Sequence, residues 1–318
     1  MANTAFTCPT PVTSSSNALF QAWATAISNA FAAMSATGLV RVGYGSGVTG
    51  GTQGVNDVLP AAWIAGSGAT AGGYEVYKLA DPAGGSGASP VFFKLEYWPQ
   101  TGNAGLRITI GTTYAGTGPT LGGCTGGPYQ LMNEGGYANT TGTCWLASDG
   151  DGFVFAMNFG VTTSAQRFLM ALDRQRNLTG AAARYSSSDP SPMGFAFYGQ
   201  HSASTRHAYV FDPAANEVGD ITALIISRGT IIATQSLTNG AGEVNMMHGL
   251  IATRQQTYLT KMILAVPAWD CPIANVTLVP TWMGAARTYK TIGNNASTGF
   301  TGLDYYNQFT TAAMWWTD

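Results

Sequence analysis

The chain has 318 residues and only 14 Lys and Arg against 16 Asp and Glu, giving a net charge of -2 and a charged fraction of 9%, where an ordinary soluble domain carries about 25%. That length permits a large core without metal or disulfide staples, and so few basic residues cannot form the electrostatic footprint a nucleic-acid partner requires. No run reaches the roughly 18 to 20 apolar residues of a membrane-spanning helix, and the opening MANTAFTCPTPVTSSS lacks the basic and continuous apolar regions of a secretory leader. The expectation is a soluble protein whose surface is solvated by Thr, Ser, Asn and Gly, or covered by other subunits.

The first predicted element is a helix over residues 15–37, SSNALFQAWATAISNAFAAMSAT, in which Leu19, Trp23, Ile27 and Phe31 recur every four positions and Ala26, Ala30 and Met34 widen the stripe. Ser15 or Ser16 can cap its start, and Gly38 stands where a left-handed stop belongs. The stripe must be buried, either on the chain's own sheet or on a neighbouring subunit. The second reading makes residues 1–36 an N-terminal arm and Leu19, Trp23, Ile27, Phe31 and Met34 candidate assembly contacts.

After Gly38 the pattern changes to short strands separated by Gly, Pro, Asn and Asp. The candidates in order are GLVRVGY at 38, YEVYKL at 74, VFFKLEYW at 91, LRITI at 106, CWLAS at 144, FVFAMNF at 153, RFLMALD at 167, MGFAFYG at 193, HAYVFD at 207, ITALIIS at 221, TIIATQS at 230, YLTKMILAV at 258, VTLVP at 276 and TTAAMWW at 310. In VFFKLEYW, Phe93, Leu95 and Tyr97 face opposite to Lys94 and Glu96, as in a half-buried strand. SDGDG carries the glycines of a tight hairpin turn. No fixed-period repeat marks a solenoid or propeller. The predicted fold is all-β, a β-sandwich of jelly-roll-like form with one N-terminal amphipathic α-helix. The body spans 37–318, with two subdomains dividing near residue 125. The Gly-rich stretches 43–54, 65–73 and 115–127 read as contact loops.

Chemistry-bearing motifs are sparse. GSGVTG at 45–50 has the G-x-G-x-x-G spacing, but GTQGVNDVLP follows in place of the helix that would face a pyrophosphate. Ser86, in GGSGA, lies in a polar loop and not on the strand-to-helix turn of a nucleophile elbow. His201, His207 and His248 are far apart in sequence and read as satisfied surface residues. Asp149 and Asp151 supply half a calcium loop without its closing Glu, so a turn is the better reading. Glu75, Glu96 and Glu134 are the best-placed single carboxylates for glycoside chemistry, which needs two such groups about 5 to 9 Å apart. Cys8, Cys124, Cys144 and Cys271 form no Cys-x-x-Cys pair. They read as reduced thiols, with a Cys124–Cys144 disulfide as the alternative if those strands are neighbours. The eight Trp and fourteen Tyr could stack on sugar rings, or fill a core and subunit interfaces.

The segments AGGYEVYKLADPAGGSGASPVFFKLEYW (71–98) and LRITIGTTYAGTGPTLGG (106–123) resemble a strand-and-turn pattern of virion structural proteins of tailed bacteriophages, with weaker echoes in SDGDGFVFAMNF, FLMALDRQRNLTG and WMGAARTYKTIG. The resemblance covers about residues 37–125 and brings no catalytic residues with it. It implies a particle component of the tail, baseplate, collar or fibre attachment, folded in the host cytoplasm and located in the virion. Its partners would be copies of itself and other virion proteins. A carbohydrate-binding host-attachment protein recognising surface glycan, and a capsid decoration or head-fibre protein, are the alternatives. No enzymatic activity, cofactor, metal, nucleic acid or membrane insertion is expected.

Overall fold

A computed structural model describes residues 2–9, 17–46, 72–79, 90–100, 103–132, 141–150, 152–158, 167–174, 193–199, 207–212, 217–220, 247–252, 257–267, 277–278, 281–282, 285–286, 288–291 and 310–317. The predicted strands at 221 and 230 lie outside the described residues.

The helix forms where the four-residue periodicity places it, as α1 (Asn17–Ala33), and tightens into a 3-10 turn over Met34–Thr37. Gly38 ends it at φ 90° and ψ 0°, with its N–H bonded to the Ser35 carbonyl, a conformation that a residue with a Cβ resists. The Thr37 hydroxyl donates to the Met34 carbonyl at 2.7 Å, satisfying one of the last orphan acceptors.

Five strands then run as successive antiparallel neighbours to make the first sheet: β2 (Leu39–Ser46), β3 (Gly73–Leu79), β4 (Val91–Gln100), β5 (Asn103–Tyr114) and β6 (Leu121–Met132). The β4–β5 ladder continues through Pro99↔Ala104 and Gln100↔Asn103, so the expected connection WPQTGNAG is mostly paired strand. Strand β6 takes up most of the expected contact loop at 115–127, and the connection shrinks to 115–120.

The second sheet has the order β1-β7-β8-β9-β10-β11-β12. Its strands are β1 (Ala2–Cys8), β7 (Gly142–Asp149), β8 (Gly152–Asn158), β9 (Arg167–Arg174), β10 (Met193–Gly199), β11 (His207–Asp212) and β12 (Glu217–Asp220). Apart from β1, which joins at the β7 edge, this too is a meander. A jelly roll alternates strands between sheets through two Greek keys; the described part of the first two sheets runs mostly through consecutive neighbours, and the jelly-roll form is not confirmed. The described residues form an all-β architecture with one α-helix.

The first two sheets and α1 share one core. Phe93 of β4 meets Phe153 of β8 at 4.7 Å between ring centroids. Trp23, Ile27, Phe31 and Met34 of the helix, Leu95 and Ile108 of the first sheet, and Leu146, Phe155 and Met170 of the second belong to the same buried cluster. The predicted subdomain boundary near residue 125 falls inside β6, and the two halves it would separate are packed together.

The second sheet has two different faces. Toward the helix it presents the row Leu146–Phe155–Met170, and away from it Ala147–Val154–Ala171. A third sheet, in the order β13-β14-β19-β18-β15, comprises β13 (Met247–Ala252), β14 (Thr257–Pro267), β15 (Thr277–Leu278), β18 (Thr288–Thr291) and β19 (Thr310–Thr317). Strand β14 brings its Cα atoms within 8 Å of β8 and β9, and β19 does so with β1, β7 and β8. Stacked sheets ordinarily sit about 10 Å apart; a face of alanine and valine permits the closer approach. A two-strand hairpin of β16 (Thr281–Trp282) and β17 (Ala285–Ala286) completes the described strands.

Candidate functional site

The helix stripe is the first candidate, and the structure corrects its assignment. Trp23, Ile27, Phe31 and Met34 are at most 1% exposed within the single chain. Phe31 lies between rings of both sheets, 5.4 Å from Tyr77, Phe153 and Phe155 and 6.0 Å from Phe93. Trp23 meets Tyr97 edge-on at 5.9 Å. Leu19 lies on α1, with its side chain outside the described residues. Residues 1–36 are thus no detachable arm: β1 is a strand of the second sheet, and a side chain that fills the core cannot also face a neighbour.

The second candidate is a buried carboxylate. Alternation in β3 turns Glu75 toward the helix, where it is completely buried. The Ser28 hydroxyl donates to Glu75 Oε1 at 2.7 Å, Arg41 Nη1 donates to the same oxygen at 2.8 Å, and the Tyr97 hydroxyl donates to Oε2 at 3.2 Å. Helix, β2, β3 and β4 are therefore tied at one point. Burial alone would lower the basicity of Arg41, but the charge and hydrogen bond of Glu75 more than reverse this and hold the guanidinium above its ordinary range. Burial, reinforced by the Glu75 charge, pushes the Tyr97 and Tyr77 phenols well above theirs. With donors on both carboxylate oxygens and no exposed edge, this group holds layers together and is placed for no reaction with solute.

The other strand-central carboxylate, Glu96, sits on the opposite face of the same sheet, because its cross-strand partner is Tyr74 and not Glu75. Arg107 grips it with Nε at 2.7 Å and Nη2 at 3.2 Å, and Lys94 Nζ approaches to 3.2 Å. Burial lowers the Lys94 pKa, the nearby Arg107 charge adds to that, and Glu96 opposes both. The sheet thus stands between Glu75 and Glu96, and they cannot flank one glycosidic bond. Glu134 lies outside the described residues.

The remaining motif residues are dispersed. Asp149 accepts the Gly152 N–H at 3.1 Å and pairs with Gly152 across the β7–β8 turn, which is the predicted turn role. Asp151, Ser86 and His201 fall outside the described residues. His207 stands on β11 and His248 on β13, in different sheets. Among the described residues no group of three or more His, Cys, Asp or Glu could hold a metal ion. Cys144 is buried and free beside Cys8, not beside Cys124, whose strand β6 belongs to the other sheet. Trp23, Trp145, Tyr74, Tyr77, Tyr97 and Tyr289 are all core residues and form no exposed stacking platform.

The sheet edges form the third candidate, and sequence reasoning missed one of them, β1. Natural edges are blunted by brevity, charge, proline or bulges. Strand β2 carries Arg41 and a register break at Arg41/Gly43, and β6 carries Pro128 and three such breaks. Strand β12 has four residues, two of them Glu217 and Asp220; β13 breaks at His248/Gly249; β15 has two residues. Strand β1, ANTAFTC, is seven residues in unbroken register with β7 and has no charge, proline or glycine. Its side chains alternate between half-buried and exposed until Cys8, whereas Cys144 to Ser148 of β7 are all buried. The signal was present as an alternation of small and polar residues, but Ser, Thr and Pro following at once gave it the look of a flexible tail.

No protein-family model matches the chain, and no curated protein matches it either.

Proposed function

We propose that the protein is an oligomeric structural component of a tailed-bacteriophage particle, in the tail or another external part, acting by subunit–subunit assembly. Three properties support this reading. The segments that carry the resemblance form β3, β4 and β5, three consecutive strands of one sheet, so the pattern corresponds to a continuous structural unit. The charged fraction of 9% leaves little repulsion to overcome when copies meet. The observation that carries the assembly reading is β1: an edge strand seven residues long with no charge, proline, glycine or register break is a template for pairing. Two copies meeting antiparallel there, centred on Ala5, would set Asn3 against Thr7 and Thr4 against Phe6, with no like charges opposed.

The test is the mass of the purified full chain by light scattering, together with its presence in purified particles. The expected result is an oligomer that Ala5→Lys, a change at an exposed edge position, converts to a folded smaller species. Fixed stoichiometry in particles supports the virion role. A monomer unaffected by Ala5→Lys overturns the edge as the interface, and an abundant free monomer absent from particles overturns the structural role.

A further inference from the structure

We propose that Cys8 and Cys144 are a dithiol site that closes to an intrachain disulfide in an oxidising medium, fastening β1 to the body of the second sheet. The argument starts from register. Phe6 pairs with Cys144 and Cys8 pairs with Gly142, so the two cysteines are diagonal neighbours on the same face of adjacent strands. The position directly opposite Cys8 carries no side chain, and its thiol is free to lean along the strand toward Cys144. Both side chains are completely buried in the helix-side cluster and both are free thiols. Burial first, and then the hydrogen bond and charge of Cys8, push the Cys144 thiol well above its ordinary range. The reduced pair is therefore inert while the strands are closed.

Diagonal positions have Cα atoms about 7 to 8 Å apart, just beyond the usual disulfide range of about 4.4–6.8 Å. Closure draws β1 toward β7 by roughly 1 Å, which an edge strand held from one side can accommodate. With a small disulfide such as oxidised glutathione, the Cys8 thiolate attacks one oxidant sulfur as β1 frays. That forms a mixed disulfide and expels one glutathione thiolate. The Cys144 thiolate then attacks Cys8 Sγ and expels the second. The protein loses two electrons and two protons, and the oxidant leaves as two glutathione thiols. The link would enclose α1 and the whole first sheet in one covalent loop. The proposal depends on the fold alone and stands or falls separately from the virion reading.

The experiment exposes the native full chain to oxidised glutathione and maps peptides under non-reducing conditions, with thermal unfolding measured before and after. The expected product lacks two hydrogens, links the Cys8 and Cys144 peptides, and unfolds at a higher temperature; reductant reverses both changes. Because Cys144 must ionise, closure should accelerate as pH rises. A Cys124→Ser/Cys271→Ser variant should close normally, and Cys144→Ser, checked for native circular dichroism, should not. Overturning results are linkage to Cys124 or Cys271, stable glutathione adducts alone, no reaction, or a Cys8–Cys144 link that leaves the unfolding temperature unchanged. If Cys144→Ser does not fold, Cys8→Ser provides the same loss of linkage from the edge strand.

Discussion

Replacing Phe31 by alanine tests whether the helix belongs to the core. Phe31 is completely buried and meets four rings, two from each of the first two sheets, at centroid distances of 5.4 to 6.0 Å. Truncating a buried Phe costs about 3–5 kcal/mol from lost transfer energy and the residual cavity. Aromatic pairs add about 0.5–1.5 kcal/mol each beyond area, and both sheets are held apart by rings around the gap, so collapse is restricted. The expected loss lies at the upper end, about 4–5 kcal/mol, a large share of the roughly 5–15 kcal/mol that stabilises a typical domain. Urea unfolding at unchanged slope is the assay, and Phe31→Leu should lose clearly less. A loss below about 1 kcal/mol would refute the reasoning and restore the arm. Deleting residues 1–36 separates the same alternatives: an arm leaves a soluble body that assembles poorly, whereas the structure predicts insolubility, since β1 and the stripe go together.

Glu75→Gln keeps the shape of the buried carboxylate but removes the counter-charge of Arg41, whose side chain is 24% exposed. The expected loss is about 1–3 kcal/mol, and a double-mutant cycle with Arg41→Gln should show coupling; strict additivity would refute the pair. Tyr77 and Tyr97 have phenol pKa values raised in the fold, so both keep their protons after the unfolded chain has begun to lose them. Their contribution is intact below pH about 10 and is lost as pH rises from there. Lys94, lowered in the fold, works in the opposite sense just below its unfolded value. Phenolate absorbance should therefore keep a component that appears only on unfolding and shrinks in Tyr97→Phe; simple titration of every tyrosine near pH 10 would refute this. In Gly152→Ala the new Cβ would collide with the Leu172 carbonyl. Loss of about 1–3 kcal/mol is expected, read by thermal unfolding, and an unchanged midpoint would show that β8 and β9 can separate there.

Much of the fold was legible where periodicity had a single physical cause. The four-residue stripe and Gly38 marked α1 and its end, and alternation in VFFKLEYW marked β4 with Phe93, Leu95 and Tyr97 on the core side. Strand β6 was hidden because LGGCTGGPYQLM has the composition of a loop; it is held by pairing to β5 across three irregularities, which no local pattern reports. Two-sided burial of the second sheet was equally hidden, since Ala147, Ala156 and Ala171 look neutral in sequence and acquire meaning only beneath another sheet. The stripe on α1 was read correctly as a buried face, with the chain's own sheet and a neighbouring subunit both open as the surface that receives it. A sequence states that Phe31 must leave water, not which surface receives it. Glu75 and Glu96 were singled out as carboxylates, yet their opposite faces follow from cross-strand register, a property of the folded sheet.

The pairing of β1 with β7 also sets a timetable. Cys8 cannot meet Gly142 until translation has advanced through the whole first sheet, roughly 7 to 27 s later at a synthesis rate of about 5–20 residues per second. Strands β2 to β6 are nearest-neighbour hairpins and can close as they emerge, offering Tyr77, Phe93 and Tyr97 to the helix as half a bed. Phe153 and Phe155 supply the other half only with β8. During that interval α1 and the edge strand β1 wait together on the ribosome. A pause introduced between codons 133 and 141 would lengthen the wait without altering a single residue of the product.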